Sequence, residues 1–222
     1  MIVYIEQQKN NMNLLIQGLQ TTVEVTATAV IAGLCIGTCL ALIRTLQTPV
    51  LDFLAKVYIN IFRSQPLVMV LLAFYLAAPE LIRRLFNIDG DIRLACALVA
   101  FTLFEAAFFA EIIRSGIRAI PAHQFMACKA VGFSTFQTYH EVIIPQAIKN
   151  SLPVLITQSI ILFQDTALVY IIGLTDFFGS AVKLGEMNGN ITQMILIASV
   201  GYLSICVALQ RLSNKITTRS FK

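Results

Sequence analysis

The sequence predicts an all-α fold, a polytopic membrane bundle of about five transmembrane helices, and three observations support this. First, 57% of the 222 residues are hydrophobic and only 13% are charged, whereas charged residues make up about 25% of an ordinary soluble domain. Second, residues 25–43 and 191–209 are runs of nineteen residues without a charge, and each can cross the ~30 Å hydrocarbon core of a bilayer. Third, further apolar stretches lie between these two runs.

The first half of the chain provides two of the spans. In the first, residues 25–43, a small residue recurs at every fourth position, at Ala29, Gly33, Gly37 and Ala41. Such a stripe favours the close approach of another helix. Residues 50–62 mix charges with apolar residues, which indicates an amphipathic helix at the membrane interface. The second span is counted from about residue 60 to residue 79, with Arg63 reaching back to the interface.

The second half provides the other three spans. Residues 94–113 form the third span, and residues 191–209 form the fifth. Residues 152–174 form the fourth, in which the polar sequence Gln164-Asp165-Thr166 interrupts the apolar run.

The connections between the spans are predicted from polar and turn-forming residues. Gln47-Thr48-Pro49 is expected to be a turn, and so is Asp89-Gly90-Asp91. The charged segment 80–93 and the glycine-containing segment 175–190 are both expected to be loops.

The distribution of lysine and arginine predicts the orientation. Five of the sixteen basic residues flank the spans on the side opposite the C-terminus, namely Lys9, Arg83, Arg84, Arg93 and Lys183. The excess on the other side places the C-terminus in the cytoplasm and the N-terminus outside. The expected organisation is an external segment at 1–13, a transmembrane domain at 14–212 and a basic cytoplasmic tail at 213–222.

The cytoplasmic segment 122–144 has its own local structure. A helix is predicted from residue 122 to 131, and Gly132 is placed as its C-terminal cap. Ser134 and Gln137 have the spacing of a capping box, which begins a second short helix that Pro145 ends. Five apolar side chains give the segment an apolar surface: Phe125, Met126, Cys128, Phe133 and Phe136. That surface either binds a cytoplasmic partner or packs on the helix ends of the same chain.

The same segment resembles the EAA loop of type I ABC importer permeases. The family pattern is Glu-Ala-Ala, three residues, Gly, nine residues, Ile, one residue, Leu-Pro. Here it reads Met126-Ala127-Cys128, Gly132, Val142 and Ile144-Pro145, and the spacing is complete. Met126 replaces the usual acid and Cys128 the second alanine.

Other motifs of the polar amino-acid branch follow in the family's order. Gln124, Gln146-Ala147 and the segments 62–67, 111–117 and 164–170 all match that branch. Asp165-Thr166 and the segment 175–178 make the chain most similar to the permease subunits of glutamate/aspartate importers.

The resemblance implies a mechanism and a set of partners. Two permease subunits, identical or paralogous, form the pathway, and a cytoplasmic ATPase dimer receives the coupling loops. An external binding protein delivers a polar amino acid, expected to be glutamate or aspartate, with glutamine or another polar amino acid as the alternative. The expected location is the bacterial inner membrane. The chain lacks a phosphate-binding G-x-x-x-x-G-K-[ST] loop, so ATP is expected on the partner, with no cofactor and no enzymatic activity here.

Polar residues within the spans are the candidates for the substrate pathway, because charges at membrane depth usually face a pathway or a partner. They are Arg63, Glu105, Gln164, Asp165 and Thr166. Asp165 lines the pathway or caps a helix break. Arg63 binds a substrate carboxylate or anchors its helix at the inner surface. Glu111 is expected to pair with Arg114 or Ser115 near the interface.

Two other classes of function fit the sequence less well. A membrane-embedded enzyme would need clustered acids or histidines at membrane depth, but the deep acids are scattered and both histidines lie in segment 122–144. A channel or secondary transporter would carry an ion site or inverted repeats, and the sequence shows no convincing internal repeat. The five cysteines lack a zinc-binding spacing, and no basic run interleaved with aromatics suggests nucleic-acid binding.

Overall fold

The computed structural model describes residues 2–46, 48–87 and 90–220. Gln47, Asp89 and Lys222, which belong to the two predicted turns and the predicted tail, lie outside the described residues. The α-helices are α1 (Ile2–Leu46), α2 (Pro49–Arg63), α3 (Leu67–Ala77), α4 (Pro79–Phe86), α5 (Arg93–Arg118), α6 (Ala122–Ala130), α7 (Thr135–Gln137), α8 (Ile144–Asp165), α9 (Phe177–Asn188) and α10 (Ile191–Ser220). A π-helix (Thr138–Ile143) precedes α8 and a 3-10 helix (Thr166–Ile172) follows it.

Helix α5 is the centre of the bundle. It packs against α1, α2, α3 and α8, and side chains from most of its circumference are buried. Phe101, Phe109 and Ile113 are its largest fully buried apolar side chains. An apolar helix buried on nearly all sides is expected at the core of a bundle.

The small-residue stripe of the first span is confirmed as a packing face. Ala29 and Ala41 are fully buried in α1. A Cβ atom on Gly37 would lie 2.9 Å from the Ala106 carbonyl oxygen and from the Ala110 backbone nitrogen of α5. The backbones of the two helices are therefore too close for any side chain at this position.

The first helix is longer than the predicted span. It begins at Ile2 and contains 45 residues, or roughly 68 Å at 1.5 Å per residue, about twice the bilayer core. Its N-terminal part packs against α9, where Gly18 lies against the Asp176 carbonyl. Segment 1–13 carries polar residues, so hydropathy alone did not show that the helix continues through it.

The second predicted span is wrong as a single helix from about residue 60 to 79. Helix α2 ends at Arg63, and α3 leaves it at an angle of 104°. Pro66 has an extended ψ of 138° at the start of α3 and cannot continue the preceding helix. The amphipathic helix predicted for residues 50–62 is confirmed as α2.

Two predicted loops contain helices. In segment 80–93, Pro79 begins α4, and Asn87 ends it in the left-handed conformation at φ 52°. In segment 175–190, Asp176 caps α9 by accepting a hydrogen bond of 2.8 Å from the Gly179 N–H. Helix α4 has 8 residues, three of them charged, and α9 has 12 residues, two of them glycine, so charges and glycines gave both segments the composition of loops.

Pro145 does not end the second short helix, as the sequence analysis expected. It lies in the first turn of α8, where a proline removes no helical hydrogen bond. Residues Thr135–Ile172 are therefore helical throughout and form one candidate span of 38 residues.

Within the described part of the chain, four helical segments are long and apolar enough to cross a membrane. The bent pair α2 and α3 makes a fifth if it counts as one span. The predicted all-α bundle of about five spans is thus confirmed, with one span broken.

Candidate functional site

A cavity of about 450 Å³, with several polar groups in a mainly apolar lining, lies where α2, α5 and α8 converge. Its lining combines Arg63 from α2 with Phe108, Glu111 and Ser115 from α5 and Asn150 and Gln158 from α8. A cavity of this size with a few converging polar groups is typical of a small-molecule site.

Arg63 is the cationic group of this cavity. Its guanidinium carbon lies 5.4 Å from the centre of the Phe108 ring, and Nη1 lies 4.0 Å from Glu111 Oε2. The side chain is 42% exposed, so most of its five N–H donors remain free for a ligand. The ring and the carboxylate hold the guanidinium at the edge of the cavity.

Glu111 pairs with Arg114, as predicted. Arg114 Nε donates to Glu111 Oε2 at 3.0 Å, and Nη2 donates to Oε1. This two-point ion pair fixes the carboxylate between Arg114 and Arg63, and it makes Glu111 a positioning group for both.

Glu105 and Gln158 form a second polar contact behind the cavity. The Glu105 side chain is fully buried, and Gln158 Nε2 donates to its Oε1 at 3.2 Å. The other oxygen, Oε2, has no hydrogen-bond partner in the described part of the chain. Gln158 lines the cavity, so it connects the buried carboxyl to the space beside Arg63. A single mid-span glutamine has no distinguishing sequence pattern, and the sequence analysis therefore missed it.

The other three pathway candidates lie at the junction between α8 and the 3-10 helix. Gln164 Nε2 donates to Cys206 Sγ at 3.4 Å. Thr166 is fully buried, and its hydroxyl donates to the Phe163 carbonyl. Asp165 is half-buried and is the last residue of α8. At Asp165 the α-helix gives way to a 3-10 helix within one continuous helical segment, and none of the three residues lines the cavity around Arg63.

The apolar residues of segment 122–144 fall into two groups: some are exposed, and others pack against the bundle. Met126 is 63% exposed and Phe136 is 76% exposed. Cys128 is buried instead, and Phe125 packs edge-on against Tyr139 with 5.9 Å between ring centres. Cys128 and Phe125 therefore agree with the alternative that the segment packs on helix ends of the same chain, whereas Met126 and Phe136 agree with the expected outer surface. Val131, which that expectation omitted, is 77% exposed.

The turn between α6 and α7 has the predicted chemistry. Gly132 adopts φ +86°, and the Phe133 N–H donates to the Cys128 carbonyl at 3.0 Å. The Gly132 N–H donates to the Lys129 carbonyl, which completes a Schellman motif. Ser134 and Gln137 form both hydrogen bonds of the predicted capping box. Gln124, Met126 and Ala127 lie on α6, before this turn.

At the opposite end of the bundle, Asp176 and Arg93 form hydrogen bonds that connect neighbouring segments. Asp176 is fully buried and accepts a hydrogen bond from the Tyr202 hydroxyl at 3.1 Å, which ties α9 to α10. Arg93 Nη1 donates to the Gly173 carbonyl at 2.5 Å. The Arg93 guanidinium also hydrogen-bonds Asp91 and lowers the pKa of that carboxyl below its usual 3.8. The contacts of Asp176 with Tyr202 and of Arg93 with Gly173 join residues far apart in the sequence, so no local pattern shows them.

Helices long and apolar enough to span a membrane, a cavity with converging polar groups and an exposed apolar helix pair are the features of a membrane transport subunit. Residues 15–220 match the family described as binding-protein-dependent transport system inner membrane component, and the chain belongs to this family. Subunits of this kind work with separate ATPase and substrate-binding partners.

Curated relatives and solved structures agree with this assignment. The chain is 43% identical to the glutamate/aspartate import permease protein GltK of Escherichia coli O157:H7, over 93% of each chain. It is 32% identical to the arginine transport system permease protein ArtQ of Bacillus subtilis, over 88% of this chain and 87% of the relative. The crystal structure of an amino acid ABC transporter with histidines superposes with a TM-score of 0.83 at 27% identity, over 96% of this chain and 97% of that one.

Proposed function

We propose that this chain is the permease subunit of an ABC importer that moves glutamate or aspartate into the cell. The observation that carries the proposal is the partly exposed Arg63 guanidinium at the edge of a cavity of about 450 Å³. Arginine binds carboxylates through two parallel hydrogen bonds, and an acidic amino acid presents two carboxylates. The 43% identity to a glutamate/aspartate permease supports the same substrate class.

Gln158 complements Arg63 in this cavity. Its amide nitrogen donates to Glu105, so its carbonyl oxygen is left to accept a hydrogen bond from a substrate ammonium group. Arg63 and Gln158 would therefore contact opposite charges of the same amino acid. Gln164, Asp165 and Thr166 lie outside the cavity lining. We therefore assign them a structural role at the junction between α8 and the 3-10 helix, without direct contact to the substrate.

The coupling role is proposed for segment 122–144. Its exposed Met126, Val131 and Phe136 form an apolar surface that suits a groove on a cytoplasmic ATPase. ATP binds to that ATPase dimer, and this chain carries no cofactor and no catalytic site. A second permease subunit and an external amino-acid-binding protein complete the importer.

The proposed orientation has the N-terminus outside, the C-terminus in the cytoplasm and segment 122–144 in the cytoplasm. It rests on the asymmetry of basic residues. Single cysteines at Gly90 and Val131, in a variant without native cysteines, test it in whole cells with an impermeant thiol reagent. We expect labelling at residue 90 only, and labelling at residue 131 alone would reverse the orientation.

The substrate proposal is tested with the reconstituted complex and labelled amino acids. Arg63→Gln should lower glutamate and aspartate uptake at least tenfold, because one charge-assisted carboxylate contact contributes about 1.5–3 kcal/mol. Arg83→Gln, an exposed arginine of α4 outside this cavity, is the matched control and should retain uptake. Uptake of only a hydrophobic amino acid or a sugar by the wild type would refute the proposal.

Glutamine is the second candidate substrate. The chain is 31% identical to a putative glutamine transport system permease protein of Rickettsia prowazekii, over 90% of this chain. Competition decides between them: excess unlabelled glutamine should leave glutamate uptake unchanged if the side-chain carboxylate is recognised.

A further inference from the structure

A second cavity, of about 520 Å³, lies at the other end of α5 from Arg93. The ends of α1 and α5 and the start of α6 form its walls. Three arginines line it, Arg44 from α1 and Arg114 and Arg118 from α5, and no acidic residue is among the described residues of the lining. We propose that this cavity binds the phosphate group of an anionic phospholipid of the cytoplasmic leaflet.

The charges of the cavity are arranged for an anion. Arg44 uses Nε in a 2.7 Å hydrogen bond to Asp52, which leaves the two terminal nitrogens of its guanidinium for another acceptor. Arg118 is exposed and has no ion pair or hydrogen bond within the described residues. The ion pairs with Asp52 and Glu111 hold two of the arginines in place while the third stays free.

The start of α6 adds to the positive character of the same cavity. Pro121 and Ala122 line the cavity, and the helix has neither a side-chain cap nor an acid in its first turn. Backbone N–H groups at such a terminus are unpaired within the helix and attract negative charge. This contribution is secondary to the three guanidinium groups.

The position of the cavity selects a lipid over a soluble anion. The candidate spans Lys9–Thr45 and Arg93–Arg118 both end at its rim, and lipid headgroups lie at the ends of membrane spans. Basic pockets between helix ends on the cytoplasmic side are recurrent sites for anionic lipid headgroups. Half-buried Phe125 forms an apolar wall next to the arginines, which suits an amphiphile better than free phosphate. The inference rests on the proposed orientation only where it names the leaflet.

Native mass spectrometry of the whole transporter complex in detergent tests the site. The complex would be titrated with phosphatidylglycerol and, in parallel, with phosphatidylethanolamine, which carries the same phosphate but no net charge. We expect phosphatidylglycerol to bind more tightly. Arg118→Gln should weaken it about fivefold, since one basic residue near a lipid surface contributes about 1 kcal/mol.

The control is Arg211→Gln, which removes a charge from exposed α10 and should leave phosphatidylglycerol binding unchanged. Equal effects of the two substitutions, or no effect of Arg118→Gln, would overturn the site. Displacement of the lipid by inorganic phosphate, at constant ionic strength, would show a soluble-anion site and overturn the lipid assignment. Binding is measured without transport, so the result is independent of the substrate proposal.

Discussion

Replacement of Gly132 by valine tests the coupling role of the turn between α6 and α7, because it perturbs this turn and leaves the packing of the other helices unchanged. The backbone at this residue has φ +86°, and an added Cβ would meet no atom within 4 Å. A side chain here therefore produces no steric clash, and its whole effect is backbone strain. A residue other than glycine in the left-handed region costs about 1–2 kcal/mol, and a β-branched residue is at the upper end or beyond it.

That strain acts on a small local structure. A cost of about 1–2 kcal/mol lowers the equilibrium constant between the formed and the open turn by roughly five- to thirtyfold. The hydrogen bonds from Gly132 and Phe133 back into α6 then open, and α7 loses its direction relative to α6. Gly132 lies three residues before the candidate span Thr135–Ile172 and outside it, so the thermal unfolding of the bundle should change little. Uptake should be lost, and less ATPase should co-purify at matched expression.

Gly189 provides a matched control within the same chain. It also has a positive φ, +68°, with no atom within 4 Å of an added Cβ, and it ends α9 with the same pair of backbone hydrogen bonds. Gly189→Val should strain the turn similarly but leave the ATPase bound. Gly132→Asn should be milder, because asparagine tolerates this conformation better.

Ser134→Ala removes only the cap of α7 and should cost about 1 kcal/mol of local helix stability. Wild-type uptake and ATPase binding in Gly132→Val would refute the coupling role of the turn. Loss of the ATPase in both glycine variants would indicate general destabilisation instead.

Three further predictions concern stability, measured by thermal unfolding in detergent. Gly37→Ala places a Cβ 2.9 Å from the backbone of α5 and should destabilise the bundle by about 1–3 kcal/mol. Gln158→Leu removes the partner of the buried Glu105 carboxyl and should cost about 1–3 kcal/mol, whereas Glu105→Gln should be milder. Asp91, whose pKa the hydrogen bond from Arg93 lowers, stabilises the fold above its unfolded pKa and loses that contribution as the pH falls through its folded pKa. Asp91→Asn should remove this acid dependence, which is below about 1 kcal/mol at so exposed a site.

A specific outcome would contradict each of the three stability predictions. Cys39→Leu, on an exposed position of the same helix as Gly37, should leave the melting temperature unchanged. Equal shifts in the two variants would refute the close-packing argument. If Gln158→Leu unfolds at the same temperature as the wild type, the hydrogen bond from Gln158 to Glu105 does not stabilise the fold. An Asn variant at residue 91 that keeps the full acid sensitivity would point to another carboxyl.

The sequence predicts features of this molecule that depend on local chemistry or hydropathy. The stripe through Gly37 and the turn at Gly132 are each recognisable from residues close in the chain. The sequence Ser64-Gln65-Pro66 marks an interruption, but a proline does not indicate the 104° angle between α2 and α3.

The cavity depends on contacts that a single sequence does not contain. Arg63 was predicted from its cost at membrane depth, but its neighbours Phe108 and Gln158 come from other helices. Gln158 is one amide among several, and only the approach of α8 to α5 makes it the partner of Glu105. The burial of Cys128 likewise follows from how α6 lies on the π-helix.

The unbroken helix Thr135–Ile172 constrains where the chain can change length. Each residue inserted into an α-helix rotates everything beyond it by about 100° and advances it by 1.5 Å. One extra residue between Phe136 and Gln158 would thus turn the glutamine away from Arg63, although the insertion itself could lie outside the membrane. Homologous chains should therefore accept insertions and deletions near Thr48 or Gly90 and almost none across 135–158. Their alignment across that stretch should be free of gaps even where residue identities differ.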